Sequence, residues 1–244
     1  MKIESTERLR SALHDAIIEA INCGDFQPGD RLPSESELAE NFDVSRNSIR
    51  DALASLEQSG VVIRRQGIGT IVTPFSDRLR TRIDLYRGMA DLIRGSGYEP
   101  DQEFDRIDLI TGPSEGHIAF GIDDNEHVVF RRRIFQADNQ PAIYIRDYFR
   151  YSLIPNIKGI PKISGDTIDY IEKNSNKRII YMFNEIFAIN ADHELTEALK
   201  IINSDPLLLL KYQFLDESSE PLIFADVFYN TKIIKFNLLR IRDF

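Results

Sequence analysis

Arg46, Asn47 and Arg50 are the residues whose types and spacing offer chemistry most plainly. An arginine presents a rigid fork of donors that fits guanine O6 and N7 or a phosphate, and an asparagine amide fits adenine. Ile49, Ala52, Leu53 and Leu56 recur around them at helical spacing and make one apolar face. The two arginines and the asparagine lie off that face, near the start of the same helix. A helix that buries one side and leads with such residues on the other is suited to the major groove of double-stranded DNA. A small helical packing unit with solvated charges would share the apolar face. It would have no need of the Arg64-Arg65 pair that follows.

These side chains need an element to aim them, and the flanking residues supply one. Ser34 and Glu37 have the spacing of a capping box, which starts a first helix ending near Phe42. Asp43-Val44 is the turn, Ser45 is a good N-cap for the helix that carries Arg46, and Gly60 stops it. Val61–Arg65 and Thr70–Thr73 then read as two strands around the turn Gln66-Gly67-Ile68-Gly69. A basic hairpin beside a recognition helix is a wing, able to reach a minor groove or the backbone. The candidate DNA-facing residues are therefore Ser34, Glu35, Ser45, Arg46, Asn47, Ser48, Arg50, Arg65, Gln66 and Gly67. Ahead of them, residues 6–22 form an amphipathic helix with Leu9, Leu13, Ile17 and Ile21 in its stripe, after a loose start at Met1–Ser5.

Pro28-Gly29-Asp30, Leu32-Pro33-Ser34-Glu35, Leu38-Ala39, Phe42, Val44-Ser45-Arg46, Arg50, Ala52-Leu53, Leu56, Gly60 and Gly67-x-Gly69-Thr70 together resemble the winged helix-turn-helix of GntR-family bacterial transcription regulators. Ser36 stands where that family often has an arginine able to touch DNA. Asp43 stands where a glycine is usual, a position aspartate tolerates because its short polar chain can adopt the left-handed region.

Composition bounds the rest. The 244 residues are 42% hydrophobic and 28% charged, enough for two soluble domains with real cores. The net charge is −9, and even residues 1–75 hold more acidic than basic side chains. Phosphate affinity depends on local placement, so the expectation is weak nonspecific binding and dimeric avidity. One cysteine, Cys23, precludes an internal disulfide, and no apolar run reaches membrane length. The protein is expected to be cytoplasmic, with no membrane partner. His14, His117, His127 and His193 are scattered, and Gly67-x-Gly69 belongs to a hairpin rather than a phosphate-cradling loop. No catalytic residue, metal or cofactor is expected.

The chain divides into a DNA-binding domain at 1–73, a linker at 74–81 with Arg78, Arg80 and Arg82 solvated, and a second domain at 82–244. The second domain opens with a helix over 82–95 and turns to α+β. Strands are predicted over 104–110, 127–136, 142–149, 179–189, 207–215, 222–229 and 235–242, with helices over 114–120, 165–172 and 192–202. The hairpins Arg133–Tyr148 and Tyr212–Phe228 resemble each other, each with an Asp-bearing turn and a proline opening the next strand. A pseudo-symmetric domain and a chance likeness of two aromatic hairpins fit that pattern equally.

Arg133, Asp138, Pro141, Tyr148, Asp169-Tyr170, Pro221 and Tyr229 resemble the HutC subfamily, whose second domain is called UTRA. That resemblance implies a chorismate-lyase-like fold with an antiparallel sheet, a small-molecule effector in its pocket, and a homodimer. Its candidate effector residues are Arg133, Asp147, Tyr148, Asp166, Asp226 and Tyr229. Phe135 and Asp166 replace an arginine and a serine that serve phosphate elsewhere in the subfamily, and Ile145 and Ile223 replace polar positions. A phosphosugar is therefore disfavoured against a less anionic or more apolar ligand. Arg133 could instead pair with Asp147 or Asp226 and hold the sheet together. The reading is a dimeric repressor released from a palindromic operator by a small molecule. A DNA-binding dimer without effector and a chorismate-lyase-like enzyme are the alternatives.

Overall fold

A computed structural model of the chain describes residues 3–86 and 88–240. It holds two compact units, Met1–Tyr86 with Phe236–Phe244, and Arg87–Lys235.

The first unit is built on three helices. α1 (Ile3–Cys23) begins earlier than expected, so Ile3–Ser5 are helical rather than loose, and Met1 and Lys2 lie outside the described residues. Its Leu13, Ile17 and Ile21 pack on Leu38 and Ala39 of α2 (Glu35–Asn41) and on Ile49, Ala52, Leu53 and Leu56 of α3 (Arg46–Gln58). Each of those α3 side chains is 0% exposed, and burying a leucine stabilises by about 1.5–3 kcal/mol. Asp43 takes the left-handed turn between α2 and α3 at φ 52°. β1 (Val62–Arg65) and β2 (Gly69–Val72) form the antiparallel wing. A bridge from Arg31 to Ile71, with hydrogen bonds from Gly29 and Leu32 to β2, fastens the wing to the segment before α2.

Two expectations fail after the wing. Residues 82–95 are not one helix: Ser76–Thr81 is a 3-10 turn, and only α4 (Met89–Gly95) is α-helical. The expected final strand is, within the described residues, a single bridge between Asn237 and Arg82. The two stretches meet at Arg82 and Asn237. The Thr81 carbonyl and the Ile83 amide bond to Asn237, at 2.9 and 3.0 Å, and Arg82 between them is extended, so a helix cannot run through this point. Arg82 is also not solvated; its side chain is 10% exposed and donates to the Ser59 carbonyl and to Asp84. The Arg78 side chain lies outside what is described.

The second unit is one six-stranded antiparallel sheet in the order β3-β4-β5-β8-β7-β6. The strands are β3 (Pro100–Ile110), β4 (Val128–Ala137), β5 (Gln140–Arg150), β6 (Tyr181–Asn190), β7 (Pro206–Leu215) and β8 (Pro221–Asn230). That order is the same three-stranded meander used twice, reflected about the β5–β8 seam. The helices repeat with it. α4 and α6 (Thr167–Asn174) precede the first strand of each half, and α5 (Glu115–Phe120) and α7 (His193–Leu199) precede the second. Both hairpins carry a register shift just inside the turn, where Gln136 meets Pro141 and Leu215 meets Pro221. The likeness of the two hairpins therefore reflects a pseudo-symmetric domain.

Candidate DNA-binding surface and effector site

Ser34 and Ser45 fix the helices that carry the DNA-facing residues. Ser34 accepts from the Glu37 amide at 3.3 Å while its own amide donates to Glu37 Oε2 at 2.7 Å, closing the capping box. The Ser34 amide, then the Ser34 hydroxyl, holds the Glu37 carboxyl below its usual range. Ser45 Oγ accepts from the Ser48 amide at 3.2 Å and lies 2.9 Å from Ser48 Oγ. Both hydroxyl oxygens therefore serve as helix caps that position α2 and α3.

Near the start of α3, Arg46, Asn47 and Arg50 are exposed, with Asp51, Ala54 and Gln58 exposed further along it. Arg50 donates to Glu35 Oε2 at 3.1 and 3.3 Å, yet half its side chain stays accessible, so Glu35 aims it rather than buries it. In the wing, Arg64 is drawn back onto α3: its guanidinium donates to the Arg50 carbonyl at 2.7 Å and its amide to Glu57 at 2.9 Å. Arg65, Gln66 and Gly67 remain exposed at the tip, where the Ile68 amide donates to the Arg65 carbonyl. Gly67, at φ 76°, makes that turn. Arg31, absent from the sequence-derived set, is exposed and lies against the wing, its Nε 2.7 Å from where a Cβ on Gly69 would sit. The long-range Arg31–Ile71 bridge and the hydrogen bonds flanking it bring it there, which local pattern does not reveal.

The candidate effector residues divide between the two faces of the sheet. Register puts Arg133, Ile145 and Val227 in one row and Arg131, Asp147, Ala225 and Tyr212 in the next, all on one face with Tyr229. Tyr148 and Asp226 lie on the other face, beside Arg146. There Tyr148 donates to Glu115 of α5 at 2.8 Å, Tyr144 donates to Glu194 of α7 at 2.6 Å, and Arg146 donates to Asp226 at 3.0 Å. Burial, then the neighbouring carboxylate, pushes both phenols up. This network ties α5 and α7 to the sheet and does not meet Arg133.

On the first face, Arg133 donates to Asp147 at 2.7 Å and has Asp166 at 3.9 Å. Its expected alternative partner, Asp226, faces away. The Arg133 side chain is 6% exposed, and among the described residues its Nε finds no partner. Burial opposes the guanidinium charge, but the carboxylates of Asp147, Asp166 and Asp105 outweigh it and raise its pKa. Thr167, the first residue of α6, also donates to Asp147 at 2.7 Å. Asp166 caps α6 by accepting from the Ile168 amide at 2.8 Å. Arg131, missed from sequence, is buried alongside, donating to Asp105, to the Gly165 carbonyl and to Thr167. Tyr212 is kept in its phenol form by burial, against a hydrogen bond with Tyr229. Arg133, Asp147 and Asp166 thus converge at the N-terminus of α6, over a sheet face that also carries the phenols of Tyr212 and Tyr229. Among the described residues no group of His, Cys, Asp or Glu could hold a metal ion.

Residues 9–72 match the profile described as bacterial regulatory proteins, gntR family, and residues 95–235 match the UTRA domain. The chain is 26% identical over 238 residues to a probable transcriptional regulator PhnF of Escherichia coli, covering 95% of this chain and 93% of that protein. It is 25% identical over 220 residues to a histidine utilization repressor of Pseudomonas putida, covering 85% and 82%. Among solved structures, the possible transcriptional regulator YydK of Bacillus subtilis superposes with a TM-score of 0.70 at 19% identity, over 95% of this chain and 99% of that one.

Proposed function

The chain belongs to the gntR family of bacterial regulatory proteins, in the UTRA-bearing HutC subfamily, and from that premise we propose that it is a dimeric repressor released from a palindromic operator by a small, non-phosphorylated effector. It is a ligand-responsive DNA-binding regulator. The observation that carries the DNA half is α3, whose inner face is wholly buried while Arg46, Asn47 and Arg50 stay exposed beside the wing. Two such helices on a two-fold axis fit successive major grooves of a palindrome. Arg46 and Asn47 read base edges, Arg50 is held for its contact by Glu35, and Arg65, Gln66 and Gly67 approach the minor groove.

The effector half follows from charge. The N-terminus of a helix with a buried arginine beside it is a ready anion site, but here the protein fills it with its own carboxylates. Two guanidiniums, Arg131 and Arg133, face three carboxylates, Asp105, Asp147 and Asp166. A carboxylate 4 Å from a phosphate charge opposes it by about 4 kcal/mol at an effective dielectric near 20. One charge-assisted hydrogen bond returns only about 1.5–3 kcal/mol. A neutral polyol or a ligand carrying an ammonium group meets no such opposition. It can accept from Arg133 Nε.

Selection of operators from a random duplex pool tests the first half, and a recovered pseudo-palindrome with two half-sites one helical turn or a multiple apart is the expected result. Recovery of no consensus would remove the repressor reading. Thermal-shift screening tests the second: neutral polyols and amines should stabilise, and sugar phosphates should not. A screen in which phosphate esters alone stabilise would overturn it.

A further inference from the structure

The sheet of the second unit has two free edges, β3 and β6, which occupy equivalent places in its two halves and are made differently. β3 carries Pro100, Asp101, Glu103, Asp105, Arg106 and Asp108, and its pairing is interrupted between Gln102 and Phe104. Proline, charge and a bulge are the devices that keep an edge from recruiting another strand. β6 has no proline and no bulge, and it carries a single charge. It pairs with β7 from Tyr181 to Asn190 without a register shift, and Glu185 is its one charged residue. Tyr181, Met182, Phe183, Ile186 and Phe187 are each 40–55% exposed. Because side chains alternate along a strand, Met182 and Ile186 lie on one face and Tyr181, Phe183 and Phe187 on the other.

We propose that β6 is the surface through which two copies of this chain associate, each β6 laid antiparallel beside the other on a two-fold axis. The inference rests on the dimeric reading above and names the surface that reading requires. Exposure on both faces at once excludes a helix or a flat sheet as the cover, since either would shield one face alone. An added strand, with the elements around it, shields both and also pairs the open backbone edge. β6 is itself such a strand.

Area and charge agree with a second copy. With aromatic side chains burying ~150–250 Å² each, these half-exposed residues and Ile180 offer roughly 600 Å². A standard interface buries about 800 Å² per partner, and the backbone edge supplies the remainder. Directly opposite residues share a face, so the axis passes through a residue rather than between two. An axis through Glu185 would set like charges opposite each other, which is destabilising. An axis through Ile186 sets that residue against itself. One through Asn184 sets the amide against itself and Met182 against Ile186.

The test uses the full-length chain. Light scattering across a concentration series should find the parent dimeric, and Ile186→Lys should raise the dissociation constant ~30-fold or more with an unchanged circular dichroism spectrum. In a Cys23→Ser background, Asn184→Cys or Ile186→Cys should give a covalent dimer on oxidation, and Arg106→Cys on the β3 edge should not. If Ile186→Lys fails to fold, the crosslinks decide. A parent that is monomeric at every concentration overturns the dimeric reading itself. A dimeric parent that crosslinks at neither β6 position overturns the assignment to β6 and leaves the dimer standing.

Discussion

At the scale of single residues, the side chains with free donors and those already spent make different predictions. Arg46 is exposed on the leading turn of α3. Replacing it with alanine should cost ~1–3 kcal/mol on the selected operator if it reads a guanine. Titration of scrambled duplexes decides its role, because equal loss on every sequence would mark it as a phosphate clamp. Arg133 and Asp147 are the opposite case, both nearly buried and paired at 2.7 Å. Asp147→Ala should destabilise by about 3–5 kcal/mol, because it strands a buried guanidinium. The double variant Arg133→Met/Asp147→Leu should recover much of that loss in chemical denaturation. A double variant as unstable as the single one would mean that the pair is worth more than its desolvation costs.

At the scale of elements, much of the first unit was legible because its signals are local. The Ser34–Glu37 box, the Ser45 cap and the α3 apolar face each lie within a few residues of the element they define. The effector set was harder, and one residue explains why. The shift at Gln136–Pro141 leaves Ala142 as an extra residue in β5, so Arg133 pairs with Ile145 instead of Tyr144. A one-residue slip sends every later side chain to the other face, which separated Tyr148 and Asp226 from Arg133. Two predictions belong here. Ser34→Ala should cost about 0.5–2 kcal/mol as a lost cap, and Ser34→Asp should keep the cap; if it also keeps operator affinity, Ser34 makes no close DNA contact. The β7–β8 turn is held by Asp216, which accepts from Lys177 at 2.6 Å and from the Ser218 and Glu220 amides. Lys177, then the Glu220 amide, lowers its pKa below 3.8. A depressed carboxyl stabilises the fold above its unfolded value and loses that contribution as pH falls through its folded one. Stability should therefore decline below pH 3.8. Asp216→Asn should flatten that part of a pH-dependent melting series, and an unchanged acid limb would show that other carboxyls set it.

At the scale of the whole molecule, the chain passes between its two units twice, near residue 86 and again near residue 235. The second passage was not foreseen, because Asn237 and Thr81 are far apart in sequence and no local period links them. Its anchors are specific. The Asn237 amide donates to the Thr81 carbonyl at 2.9 Å, its carbonyl accepts from Ile83 at 3.0 Å, and its side chain donates to Thr81 Oγ1 at 2.9 Å. Leu239 then packs against the core of the first unit, over Gly60. Each hydrogen bond contributes about 0.5–1.5 kcal/mol net, and a half-buried leucine contributes at the low end of ~1.5–3 kcal/mol. Removing residues 236–244 should therefore weaken the first unit by a few kcal/mol while leaving the sheet of the second intact. Amide hydrogen exchange reads the two separately: protection should fall at α3 and β1, which flank Gly60, and stay unchanged along β4, β5 and β8. Leu239→Ala should do the same to a smaller degree. Operator affinity should fall with the loss of protection, because α3 must be ordered to present Arg46 and Arg50. Full protection of α3 in the shortened chain would show that the returning segment adds nothing to the DNA-binding unit, leaving the stretch near residue 86 as its one covalent tie to effector binding.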